Sequence, residues 1–147
     1  MSWLQIVESI TVVGAVAVGV LIWLFVRQRK LDQVQELLDK RKASSKTVSR
    51  AHLVEGNERI PVALALTDSI IHYENHDLQA FLELNRIEEV EYDNELSIGT
   101  EVEHGRVLRL RSHGQTFEFI LEKPAADQWL ALLPPHRMDE PGNVHAV

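Results

Sequence analysis

The hydrophobic pattern changes its period three times along this chain. Residues 10–26 carry no charge and are apolar on every face, and the run closes abruptly on Arg27, Arg29 and Lys30. As a helix those residues cover about 25 Å, or about 36 Å counted from Trp3, against a hydrocarbon core of about 30 Å. That length predicts a transmembrane helix over 10–26, or 3–26 with its interfaces. Trp3 and Trp23 sit near the two ends, where amphipathic rings suit both bilayer surfaces. A cleaved leader would place basic residues before the apolar run, and here they follow it. Lys and Arg are absent from residues 1–9 and crowd the other flank. Residues 1–9 are therefore expected to be a short extracytoplasmic N-terminus, with the C-terminal domain cytoplasmic.

Beyond the basic cluster a helical period begins. Leu31, Val34 and Leu38 recur at i, i+3 and i+7, and Glu36 faces Lys40 one turn on. No Gly or Pro separates this segment from residue 26, so 27–46 reads as a basic amphipathic juxtamembrane helix followed by a flexible linker at 43–46. Within the apolar run, Thr11, Ala15 and Gly19 follow the four-residue spacing that permits close helix packing. That stripe suits either a homo-oligomer seam or plain lipid contact. It lies about 120° from the Leu31 stripe on a straight helix, which argues against one seam through both. Lys40, Arg41, Lys42 and Lys46 reach an anionic leaflet only if the helix lies down; upright, they end a solvated helix.

From residue 47 the period falls to two. Residues 51–55 read as a strand ended by Gly56-Asn57, and 61–66 with 70–74 as a hairpin about Thr67-Asp68-Ser69. Phe81, Leu84, Ile87 and Val90 supply the next apolar positions, with a bend at 85–87 and a new strand from Val90. Residues 106–111 and 116–121 alternate about a turn at 112–115. The period then returns to helical. Pro124 suits a first turn, and Ala126, Trp129, Leu130 and Leu133 make one apolar stripe before Pro134-Pro135. The pattern predicts a mainly-β barrel over 47–135, of about six or seven antiparallel strands, capped by a C-terminal helix. A disordered tail is expected over 136–147.

Three stretches narrow that description: Val62-Ala63-Leu64-Ala65-Leu66-Thr67-Asp68 leading into Ile70-Ile71-His72-Tyr73; Leu84-Asn85-Arg86-Ile87-Glu88-Glu89-Val90; and Phe117-Glu118-Phe119 with Trp129 on the closing helix. Together they resemble the pleckstrin-homology-like superfold, bacterial PH and GRAM-like domains in particular, over about residues 50 to 134. Another small β-barrel or a sandwich would satisfy the same pattern. The resemblance implies a PH-like core of Leu64, Leu66, Ile71, Tyr73, Ile87, Val90, Phe117, Phe119, Trp129 and Leu133. Many PH-like relatives bind phosphoinositides through several Lys or Arg near the first hairpin. Here those loops offer Arg50 and Arg59 against Glu55, Glu58 and Asp68, a weak field for a polyphosphate.

Charge divides the chain as sharply as hydropathy does. Residues 1–46 hold seven Lys or Arg against four Asp or Glu, and residues 47–147 eight against eighteen, so +3 and −10 make the total of −7. So acidic a domain disfavours nucleic acid. The chain has no cysteine, which removes disulfides, thiolate metal sites and a thiol nucleophile. Arg106, Arg109 and Arg111 form the best basic stripe. Amid Glu101, Glu103, Glu118 and Glu122 they read as cross-strand ion pairs. His72 and His76 lie four apart on strand and turn rather than on a helix, and the acids from Glu88 to Glu95 lack the pattern of a calcium loop. Neither a glycine-rich phosphate loop nor a nucleophile elbow is present.

The expectation from the pattern and the resemblance together is a single-pass protein of the inner (plasma) membrane with a non-catalytic cytoplasmic PH-like module for protein interaction or scaffolding. Its expected partners are the bilayer and a protein, with no cofactor, metal or nucleic acid. A lipid-sensing domain is the alternative. A domain on the extracytoplasmic side with an unknown ligand is the second alternative.

Overall fold

The computed structural model describes residues 3–138. Helix α1 (Trp3–Lys42) runs unbroken for 40 residues, about 60 Å at 1.5 Å per residue. It contains no proline, and the apolar run passes into the amphipathic segment without a kink signal. It is long and apolar enough to cross a membrane once.

Eight strands and a second helix follow: β1 (Thr47–Glu55), β2 (Glu58–Leu66), β3 (Ile70–Glu74), β4 (Gln79–Glu83), β5 (Ile87–Asp93), β6 (Gly105–Ser112), β7 (Gln115–Glu122), α2 (Lys123–Leu132) and β8 (His136–Arg137). They form one antiparallel sheet in the order β4-β3-β2-β1-β7-β6-β5-β8. Strand β1 joins the two meanders, pairing β2 along its length and β7 from Ala51 to Val54. The sheet curls into a half-barrel with β4 and β8 as its edges. The count exceeds the expected six or seven because the tail does not begin where the prolines end. His136 and Arg137 pair with Val90 and Glu89, and the Met138 N–H donates to the Glu88 carbonyl. The remainder of the expected tail, 139–147, and residues 1–2 lie outside the described residues.

Strand alternation sends one set of side chains into the concave face. Leu64, Leu66, Ile71, Tyr73, Ile87, Val90, Phe119, Trp129 and Leu133 lie in one buried cluster, with Phe117 packed against it half-buried. Helix α2 lies against the sheet with Ala126 and Trp129 facing in. Trp129 is fully buried and donates its indole N–H to the Ser49 hydroxyl at 2.7 Å, so its polar atom enters the core with a partner. The Tyr92 hydroxyl donates to the Leu133 carbonyl at 2.8 Å, fastening the end of the helix. The β6–β7 turn places His113 and Gly114 at φ 53° and 72°, the left-handed pair of a tight two-residue hairpin. At the other end of β6, a Cβ on Gly105 would strike the Leu121 carbonyl, so the close approach of β6 and β7 requires glycine there.

Candidate functional site

The convex face of the sheet is covered by two elements. The first is the lower half of α1, which packs on β1 and β2. Val34 and Leu38 are buried to 3% and 7% against Ala63, with Leu37 and Val48 at the margin. Alanines at 63 and 65 stand on the convex side of β2, where small side chains let a helix approach closely. Polar contacts flank this seam. Arg50 donates to Gln35 at 2.6 Å, and Arg41 grips Glu74 on β3 through two hydrogen bonds of 2.8 and 3.2 Å. The guanidinium holds the Glu74 carboxyl below its ordinary range despite its burial. Burial, and then the Arg41 charge, push neighbouring His72 toward its neutral form.

Two of the four basic residues around the end of α1 are therefore engaged by the domain. Arg41 is committed to Glu74, and Lys46 pairs with Asp68 at 3.1 Å. Residues 43–46, expected as a flexible linker, make a hydrogen-bonded turn: Ser44 N–H donates to Arg41, and Lys46 N–H to Leu66. One signal in the sequence could have revealed the dock. Residues 62–66 are apolar without alternation, and a strand buried on both faces needs a second covering layer.

The β5–β6 connection covers a second part of the convex face. Its Leu96 and Val102 pack on Val107, with Val54 and Ile120 beside them. Arg109 sits at the centre of a charge cluster beneath this connection, donating to Glu91 at 2.9 Å, Asp93 at 3.3 Å, Glu118 at 3.1 Å and the Glu95 carbonyl at 2.9 Å. Glu118 also accepts from the Ser97 N–H at 3.1 Å, tying the connection down. Arg111 pairs with Glu88 and Glu89. Arg109 and Arg111 make cross-strand ion pairs as expected, but of the acids expected beside them only Glu118 takes part, the other partners coming from the run Glu88 to Asp93, and Arg106 does not belong to their stripe. It shares the parity of Leu108 and Leu110, whereas Val107, Arg109 and Arg111 point to the convex side. The basic positions do not follow the period of two, and Arg106 thus faces the opposite way.

Because α1 runs alongside β2 in the same direction, the start of β2 and the β3–β4 turn return beside the point where the uncharged run ends. A cleft of about 300 Å³ opens there, with Val26, Arg29 and Lys30 on the helix side and Ile60, Pro61 and His76 opposite. Asn75 fixes its far wall, accepting from the N–H groups of Asp77 and Leu78 at 2.9 and 2.8 Å and donating to the Pro61 carbonyl at 3.1 Å. Just above, the Arg27 guanidinium lies 5.4 Å from the Trp23 ring and that of Arg29 4.8 Å from Phe25. Both cations lean back along apolar rings, as side chains at the edge of an apolar layer do. On the other flank of α1 a broader groove of about 580 Å³ runs past Leu31, His52, Arg59, Glu103 and His104. There burial, and then Arg59, lower the pKa of His52.

The other predicted positions remain apart from these clefts. Trp3 is exposed at the start of α1, and Trp23 is exposed within its apolar part. Thr11, Ala15 and Gly19 lie along the exposed surface of the same part. His72 faces the Phe81 ring at 6.4 Å, while His76 belongs to the cleft wall, so the two do not converge. Among the described residues no three His, Asp or Glu come together as metal ligands would. Comparison with protein-family models, with curated proteins and with solved structures finds no match for this chain.

Proposed function

We propose that this chain is a single-pass membrane protein whose PH-like half-barrel is a non-catalytic interaction or scaffolding module held against the cytoplasmic surface of the inner (plasma) membrane. The observation that carries this reading is the unbroken α1, exposed and apolar in its upper half and fastened to the sheet in its lower half. One rigid rod then sets both the depth of the anchor and the orientation of the domain. Two antiparallel meanders joined through β1, with Trp129 on a closing helix, support the PH-like assignment. The cationic flank at Arg27, Arg29 and Lys30 supports the cytoplasmic orientation.

The test is a pair of measurements on the full chain. A reporter fused after Val147 should be inactive when it requires export and active when it requires the cytoplasm; the reverse pattern overturns the orientation. Proximity crosslinking in the native membrane should recover a protein partner on the half-barrel, and recovery of lipid adducts alone overturns the scaffolding role. A lipid-sensing reading is second, and one observation favours it: the cleft beside Val26 combines apolar walls with Arg29 and Lys30.

A further inference from the structure

We propose that the cleft between α1 and β2 binds the headgroup of an anionic glycerophospholipid drawn from the leaflet next to Arg27. The inference rests on the membrane-spanning reading of α1 given above.

Position is the first argument. Val26 ends the uncharged run and also lines the cleft, so the cleft opens at the height where hydrocarbon gives way to headgroups. Chemistry is the second. Val26, Ile60 and Pro61 offer apolar surface to the glycerol and upper acyl carbons, while Arg29 and Lys30 supply the charge for one phosphate. Size is the third. About 300 Å³ is at the small end of ligand pockets, which fits a headgroup whose chains stay in the bilayer.

Electrostatics make the site selective. The half-barrel side of the chain carries −10 and repels anionic lipid in general, so such a lipid is favoured only where α1 places its cations. Asp77 lines the far wall and would oppose a second negative charge while accepting from a hydroxyl. The best occupant is therefore a single phosphate bearing a neutral, hydroxylated headgroup, such as phosphoglycerol. Bound there it touches both the helix and the Asn75 turn, and so reinforces the dock of the domain against the bilayer.

The full chain would be reconstituted in phosphatidylcholine nanodiscs carrying a photoactivatable phosphatidylglycerol or, in a parallel arm, the matching phosphatidylcholine probe. Crosslinks of the phosphatidylglycerol probe should map to residues 75–77. The double variant Arg29→Gln/Lys30→Gln should lose them roughly tenfold or more, at about fivefold per near-surface cation. Gln33→Trp, which fills the cleft and keeps the cations, should lose them too, whereas Lys42→Gln, far from the cleft, should not. Equal labelling by both probes, or full labelling of the double variant, overturns the site. Alkaline extraction of the same samples separates the two failures. A chain that washes out of the membrane sinks the anchor, and one that stays without labelling sinks only the cleft.

Discussion

The two halves of α1 share one continuous backbone and differ in what completes them. Residues 10–26 are apolar all round and nothing in the described chain covers them; Val16 and Leu21, for example, are 62% and 66% exposed. Residues 31–42 are apolar along one stripe, and that stripe is buried on the sheet at Val34 and Leu38. A stripe can be satisfied by one flat protein surface. A cylinder that is apolar on every side is not satisfied by one such surface, and among the described residues no element surrounds it. In the membrane-spanning proposal the same helix joins two solvents, with the boundary between them at Arg27, Arg29 and Lys30.

Breaking the upper half should have the largest effect. Val16→Arg places a charge mid-run at a cost of about 3 kcal/mol on insertion. It should shift the chain into the alkaline-extractable fraction, while Val34→Arg should leave extraction unchanged and release only the dock. Leu38→Ala empties the seam against Ala63 and should cost about 2–3 kcal/mol, read as faster amide exchange over 31–42 with exchange over 10–26 unaltered.

Glu74→Gln keeps the shape of the seam and removes one charge from the pair with Arg41. Because Arg41 keeps a quarter of its side chain exposed, the expected loss is about 1–2 kcal/mol, less than for a fully buried pair. The pH dependence sharpens this. Glu74 has a folded pKa below its ordinary 4.5, so its contribution is complete above that pH and is lost as pH falls below it. His72 has a folded pKa below its ordinary 6.5, so the folded state prefers it neutral and weakens as pH falls below that value. Protection factors over 31–42, taken relative to the intrinsic exchange rate at each pH, should therefore fall in two stages on acidification, and Glu74→Gln should abolish the lower one. The smallest effect is expected of Asn75→Ala. It frees two backbone N–H groups at the β3–β4 turn for about 1 kcal/mol, detectable as local exchange at residues 75–78 without release of α1.

Legibility in the sequence followed the strength of the local pattern. Strand β3 was readable to its ends because Thr67-Asp68-Ser69 and Asn75 punctuate an apolar run. Helix α2 was readable because Ala126, Trp129 and Leu133 repeat on one face after Pro124. The first residues of β1 were not, since Thr47 to Arg50 alternate only weakly, and they enter the sheet by pairing with the end of β2. Strand β8 was not, because two polar residues after two prolines have no period. They are strand only because β5 offers a free edge. The stripe of Leu31, Val34 and Leu38 was visible as a stripe, but its partner was hidden in alanines at 63 and 65 that look like filler within an apolar strand.

The sequence by itself determined the elements whose cause is local: an uncharged run of spanning length, the period of each strand, the proline-bounded helix and the separation of charge between the two ends. Tertiary structure decided everything that depends on a return path. The chain doubles back along its own helix, so Glu74 finds Arg41 across 33 residues and His76 comes to face Lys30. Periodicity reports which side of an element is apolar, and only the folded path decides which distant surface, or which solvent, that side meets.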